Sequence, residues 1–205
     1  MTKVSILKTA KYNPIQDNLS KYESLDLITK GEYSPPIVAD SREIVLAVDK
    51  EAVSDADFIL HSPSLRAAQT AQIIKETLGP KAVLLETPYL SEVKFSLKDL
   101  VLQKEYEEQG SNLVRKRFIE SFMANDKKIE SRELLLSRIN GLFDLLKSHE
   151  YQEKRIVCIS HSFFMKILQI FLKEPTLFEN PTLLSKYFDW QKRTFEFCQG
   201  FYINV

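Results

Sequence analysis

The 205-residue sequence is poor in glycine, cysteine and histidine, and each shortage removes a class of function. None of its five glycines stands in a GxGxxG or GxxxxGK(S/T) array, so neither a dinucleotide fingerprint nor a phosphate-cradling P-loop is encoded. The two cysteines, Cys158 and Cys198, lack CxxC spacing and make no disulfide framework; both read as small core hydrophobes. His61, His149 and His161 are far apart and have no HxH or HExxH neighbour, so no metal site and no cofactor is expected. No apolar run approaches the roughly 20 residues of a membrane span. The opening MTKVSILKTA has too short an apolar part for a signal peptide, which makes the cytoplasm the default location. Lysine plus arginine and aspartate plus glutamate each total 28, so no chain-wide charge draws the protein to nucleic acid or to an anionic membrane, although a local basic pocket is compatible with this balance. No repeat or low-complexity segment is present.

What is there reads as one globular domain spanning residues 1–205. Hydrophobic residues make up 44% and charged residues 27%, far from a disordered composition. KVSIL opens as a first strand; Phe58 to Leu60 and AVLLE form two more, and Ile156 to Ile159 make a β-branched run suited to a strand buried on both faces. A helix is expected around Ile37 to Val48. Another starts at Ser62, with Pro63 in its first position, and runs through Ala67, Ala71, Ile74 and Leu78 to a stop at Gly79 and Pro80. Residues 97–130, rich in both charge signs, suggest a helical cap insertion, in which Arg115, Lys116 and Arg117 read as a solvated face, with a substrate-facing role as the alternative. Leu135, Ile139, Leu142, Phe143 and Leu146 mark a clear amphipathic helix. The period-two pattern of Phe195, Phe197, Phe201, Ile203 and Val205 predicts a half-buried final strand. Alternating strands and helices predict a three-layer α/β domain, a mainly parallel sheet flanked by helices.

Two residues stand where such a fold binds ligands. His161 lies where the strand at 156–159 gives way to a helix marked by Phe164, Ile167, Leu168 and Phe171, and ligands of open α/β sheets bind outside the carboxyl ends of strands. A histidine packed beneath the helix is the bland alternative. Arg66 falls in the first turn of its helix, where a cation is unfavourable by roughly 0.3–1 kcal/mol unless an anion shares the site; free N–H groups, helix dipole and guanidinium together would cradle a phosphate. An arginine bent away into solvent is the alternative. His149, beside Lys147 at a helix end, needs no function, since a helix dipole favours it there.

With these residues in place, SPSLRAAQTAQII resembles the Ser-Pro-x-x-Arg-Ala-x-x-Thr-Ala helix start of the histidine phosphatase superfamily, the phosphoglycerate mutase-like fold. CISHSFFMKIL is similar to that family's strand, His-Gly and helix; LITKGE to its Leu-Thr-x-x-Gly turn; and YLSEVKFS to its Leu-x-Glu-x-x-Phe-Gly segment. Their order matches over about residues 4–172, while 97–130 carries no motif. The resemblance implies that Arg66 binds the phosphoryl oxygens, His161 stabilises their charge and Glu92 protonates the leaving group. The family's first strand leads into Arg-His-Gly, whose histidine is the nucleophile; here the same place reads Lys8, Thr9, Ala10. Lysine keeps the charge at the phosphate-binding position without the planar fork. Threonine at the nucleophile position needs a neighbouring base for activation, and alanine adds a Cβ where glycine permits close approach. Ser162 likewise replaces the glycine after His161.

Three functions follow as expectations. The leading one is a phosphate or phosphorylated-ligand pocket, for a small molecule or a phosphoprotein, on a chain whose catalysis is impaired by the loss of the nucleophile. The second is an active phosphomonoesterase drawing its nucleophile from His161, Thr9, His61 or water. The third is an interaction protein with no small-molecule site, its pocket filled by Tyr12, Phe95 or the cap. Substrate identity and oligomeric state have no signature in the sequence.

Overall fold

The computed structural model describes residues 1–192 and 195–205. Strands β1 (Lys3–Lys8), β2 (Phe58–His61), β3 (Val83–Glu86), β4 (Arg155–Ser160) and β5 (Gly200–Asn204) form one sheet in the order β3-β2-β4-β1-β5. The pairs β1/β4, β2/β4 and β2/β3 are parallel, and β5 runs antiparallel along the edge of β1. The helices are α1 (Lys21–Lys30), α2 (Ser41–Ala47), α3 (Lys50–Val53), α4 (Leu65–Thr77), α5 (Leu97–Leu100), α6 (Gln103–Ala124), α7 (Arg132–Lys147), α8 (Ser162–Lys173) and α9 (Thr182–Tyr187).

The alternation of side chains along a strand explains the three layers. On β4, Ile156 and Cys158 join a core with Phe118, Phe122, Leu135, Ile139 and Phe164 on one face of the sheet, while Val157 and Ile159 join Ile44, Ala67, Ala71 and Ile74 on the other. Each face of the central strand is therefore covered by helices, and a continuous apolar run is what such a strand requires. The helix at 132–147 and the strands at 3–8, 58–61, 83–86 and 155–160 lie where the periodicity places them.

Three boundaries differ from the sequence expectation. The helix expected from Ile37 starts at Ser41, because the Asp40 carboxylate caps it by accepting the Glu43 N–H, and Ile37 instead makes an isolated bridge to Tyr12. The cap of α4 is Ser64 and not Ser62: the Ser64 hydroxyl accepts the Ala67 N–H, which moves the helix start two residues onward and keeps Arg66 in its first turn. The final strand begins only at Gly200, since Cys198 at φ +60° breaks the period-two run and leaves Phe195 and Phe197 outside it. Gly200 has its own constraint: a Cβ there would come within 1.6 Å of the Ile6 carbonyl oxygen across the β1/β5 pair.

Within residues 97–130, helix covers 97–100 and 103–124, and α6 is broken at Gly110, whose φ +63°, ψ −150° lies in a region that only glycine occupies without strain. The break re-aims the second half of α6, burying Val114, Phe118 and Phe122 at four-residue spacing and turning Ser111 and Arg115 toward a cleft. Arg115 is thus half-buried, while Lys116 and Arg117 lie on the exposed face the sequence suggested.

Candidate functional site

Parallel strands leave their carboxyl ends at one edge of the sheet, and there the loops after β1, β2 and β4 converge. A cleft of about 430 Å³ opens at this edge, with Lys8, Arg66, Glu92 and Ser162 among its lining residues. Aliphatic side chains from α1, α5 and α6 (Leu25, Ile28, Leu97 and Val114) also line it.

His161 is the N-cap residue of α8, with φ −132° and ψ 161°, and its ring is buried to 3% exposure. The Arg66 Nη2 donates to His161 Nδ1 over 3.1 Å. A guanidinium has no acceptor to offer, so Nδ1 must be the unprotonated nitrogen. The remaining proton of a neutral ring then sits on Nε2, which faces the hydroxyls of Ser62 at 2.9 Å and Ser64 at 3.2 Å. Burial, followed by the positive charges of Arg66, Arg138 and Lys8, holds the His161 pKa well below the usual imidazole range, so the ring is neutral at pH 7. Neither ring nitrogen therefore offers a free lone pair.

Arg66 is 6% exposed and makes no ion pair among the described residues. Its guanidinium lies 4.9 Å from the Tyr12 ring centroid, and its buried Nε has no hydrogen-bond partner. The guanidinium feels the charge of Glu92 without forming an ion pair with it, and its enclosed, unused donor is costly unless an acceptor joins it.

Glu92 reaches the site from the loop after the 3₁₀ turn at Pro88–Leu90. Its Oε1 accepts the N–H groups of Val93 (3.0 Å) and Phe164 (2.9 Å), and its Oε2 accepts that of Phe163 (3.3 Å). The carboxylate thus caps the N-terminus of α8 from outside the helix, a position that the dipole also favours. Burial raises its pKa, against those three donors and Arg66, which pull it down. The Glu92 loop is fixed by Arg138 of α7, which donates to Glu130 at 2.8 and 2.9 Å and to the Ser91 carbonyl at 2.7 Å.

The β1 loop is arranged differently. Lys8 Nζ donates to the Phe195 carbonyl over 3.0 Å and lies 4.4 Å from the Phe197 ring centroid, so the chain segment before β5 holds it. Thr9 is 1% exposed and is not among the cleft's lining residues; its N–H continues the pairing with Ser160, and no described residue hydrogen-bonds its hydroxyl. The Ala10 methyl packs in the core with Ala67 and Ala71, and its N–H donates to Thr70, whose hydroxyl donates to the Arg66 carbonyl. His61 is buried with its Nδ1 against the Ser62 carbonyl at 2.8 Å, and His149 is exposed at a 3₁₀ turn.

The structure thus brings Arg66, His161, Glu92 and Lys8 to one strand edge and leaves His149 apart. Ser64, Arg138 and the contact of Tyr12 with Arg66 were not foreseen. Ser64 sits inside the HSPS run, where a second serine was the available signal; Arg138 is one polar position on an amphipathic helix and gave none. Among the described residues no group of three His, Cys, Asp or Glu side chains is placed to hold a metal, and no helix is long and apolar enough to cross a membrane.

The sequence matches a family model described as histidine phosphatase superfamily (branch 1) over residues 29–180, a stretch that starts after β1 and its loop. No curated protein matches. Solved structures of similar fold include a phosphoglycerate mutase from Bacillus anthracis, with 16% identity over 85% of this chain and 81% of that one and a TM-score of 0.53. A mycobacterial glucosyl-3-phosphoglycerate phosphatase complexed with VO3 has 16% identity over 84% and 80% and a TM-score of 0.56. A phosphoserine phosphatase mutant from Entamoeba histolytica, a histidine replaced by alanine, in complex with phosphoserine, has 22% identity over 88% and 85% and a TM-score of 0.54.

Proposed function

This chain belongs to the histidine phosphatase superfamily, and from that premise we propose that it binds phosphate or a phosphorylated ligand at Arg66 without phosphohistidine chemistry. The observation that carries the reading is the buried Arg66 guanidinium, which lines the cleft with no carboxylate oxygen in ion-pair contact and an unused Nε donor. A phosphate oxygen accepts from such a fork and supplies the missing charge. The role of His161 in this reading is to donate or relay no proton but to orient Arg66 through Nδ1, with Lys8 adding positive potential nearby.

The loss of turnover rests on the β1 loop. Lys8, Thr9 and Ala10 stand for the family's Arg-His-Gly in this reading, and no described residue hydrogen-bonds the Thr9 hydroxyl as an activating base would. His161 has both nitrogens engaged, and His61 lies outside the lining of the cleft. A protein of the same fold offers a parallel: the Entamoeba histolytica phosphatase with a histidine replaced by alanine still forms a complex with phosphoserine. Residues 97–130 act as the cap over this site, within a single domain. The ligand is a phosphorylated small molecule or phosphoprotein side chain met in the cytoplasm, a setting with which the two buried, unpaired thiols agree.

A second reading, phosphomonoester hydrolysis by water, is favoured by one observation: burial raises the pKa of Glu92, as a general acid requires. Titration calorimetry with inorganic phosphate, alongside hydrolysis of p-nitrophenyl phosphate, separates the two. The expected result is phosphate binding that disappears in Arg66→Met and no turnover above the buffer blank. Binding that is indifferent to Arg66 overturns the phosphate site. Turnover that falls in Arg66→Met and Glu92→Gln but not in Thr9→Ala establishes the water route instead.

A further inference from the structure

A phosphate at Arg66 would fill a small part of the cleft. The cavity measures about 430 Å³, within the range of pockets that enclose a whole small organic molecule, roughly 300–1,000 Å³. Aromatic side chains are the commonest kind in its described lining. Six aromatic side chains face it: Tyr12, Phe95, Tyr106, Phe163, Phe188 and Phe197.

Four of these rings, Phe95, Tyr106, Phe163 and Phe188, are held by other rings. The Phe163 centroid lies 4.2 Å from that of Phe118, 5.6 Å edge-on from Phe95 and 6.0 Å in a stacked pair with Phe188. Tyr106 packs against Tyr22 at 5.7 Å. The wall is therefore formed before any ligand arrives, and little side-chain entropy remains to be lost on binding.

The charged groups are as one-sided. Among the described residues, Lys8, Lys11, Arg66 and Arg115 line the cleft against one acid, Glu92, whose oxygens already accept from Val93, Phe163 and Phe164. An ammonium group entering here would meet cations and no free carboxylate. A sugar would find five side-chain hydroxyls, on Tyr12, Thr29, Tyr106, Ser111 and Ser162, spread among the charged groups just named and an apolar remainder. Each hydroxyl it brought in without a partner would have to be desolvated at a cost. A flat apolar body, by contrast, would lose water from its faces and stack on rings already in place.

We infer, granting the phosphate-binding reading above, that the ligand is a small-molecule phosphate monoester of an aromatic alcohol, with its phosphate on Arg66 and its ring system among Phe95, Tyr106, Phe163 and Phe188. Phosphoamino acids and sugar phosphates are the poorer ligands.

Titration calorimetry on the full chain tests this with inorganic phosphate, 1-naphthyl phosphate, octyl phosphate, phosphoserine, glucose 6-phosphate and a phosphotyrosine peptide. The expected order puts 1-naphthyl phosphate roughly 100-fold tighter than inorganic phosphate, phosphoserine or glucose 6-phosphate, a gain in keeping with burial of two fused rings. Arg66→Met should abolish binding of all of them. Tyr106→Ser, and independently Leu25→Gln on the aliphatic wall, should each weaken the naphthyl ester about tenfold or more while inorganic phosphate binds as before. Thermal melts of both variants show that the fold persists, and the two together guard against the failure of either one.

Equal affinity for phosphate, phosphoserine and the naphthyl ester would overturn the aromatic assignment and leave the phosphate site standing. No binding of any probe, inorganic phosphate included, would remove the phosphate site itself. Octyl phosphate binding as tightly as the naphthyl ester would reassign the wall to alkyl chains, and a tighter phosphotyrosine peptide would reassign it to a protein side chain; either result overturns the inference as stated.

Discussion

Acidification should reveal the neutral state of His161 as a loss of stability. In the unfolded chain the imidazole titrates near its ordinary value of about 6.5. In the fold, burial and the adjacent cations hold it well below that. Below pH 6.5 the unfolded state binds a proton that the folded state refuses, so stability falls as pH falls, and this loss continues until the folded pKa is reached. For one such group the loss is about 1 kcal/mol between pH 6.5 and 5.5, approaching about 1.4 kcal/mol for each further pH unit. That is a large share of a stability of about 5–15 kcal/mol. Glu92 acts in the opposite direction: its raised pKa means that the folded state holds a proton the unfolded state has released, so its contribution falls as pH rises from the ordinary carboxylate value toward the folded one. The raw pH profile mixes the two, together with every other titrating group. Urea unfolding of the wild type and His161→Gln at pH 7.5, 6.5 and 5.5 isolates the histidine, because the other groups are common to both proteins. The stability of the wild type relative to the variant should change little from pH 7.5 to 6.5 and drop by about 1 kcal/mol from 6.5 to 5.5. Parallel profiles would refute the reasoning, since they would mean that His161 titrates alike in both states and that Arg66 does not occupy its Nδ1.

Two substitutions test the architecture around the cleft. Glu92→Ala strips three N–H groups of their acceptor, two of them at the start of α8; at about 1 kcal/mol for each lost cap, destabilisation of roughly 2–3 kcal/mol is expected in urea unfolding, with Glu92→Gln intermediate. Gly200→Ala places a methyl 1.6 Å from the Ile6 carbonyl; β5 should detach from β1, seen as fast amide exchange at Phe201 and Ile203 and a stability loss of about 3 kcal/mol or more.

Much of this protein was legible in its residues. The β-branched run Ile156 to Ile159, the four-residue spacing of Leu135, Ile139, Leu142 and Leu146, and the alternation of such segments fix a layered α/β fold, because side-chain period depends only on local backbone geometry. The positions of Arg66 and His161 at element boundaries followed from the same periods, since a boundary is where one period yields to another. Helix starts were less legible. Both Ser62 and Ser64 can cap a helix, and the choice of Ser64 frees the Ser62 hydroxyl to meet His161.

What only the tertiary structure decided is how these residues use one another. The tautomer of His161 follows from an arginine 95 positions away, and the resting place of Glu92 from the N–H groups of a helix 71 positions on. Lys8 has the charge its position predicts, yet its ammonium is bonded to a carbonyl near the other end of the chain. Sequence separation carries no record of such contacts: period and propensity act over a few residues, whereas burial, hydrogen bonding and charge at the cleft depend on segments that meet only when the sheet assembles.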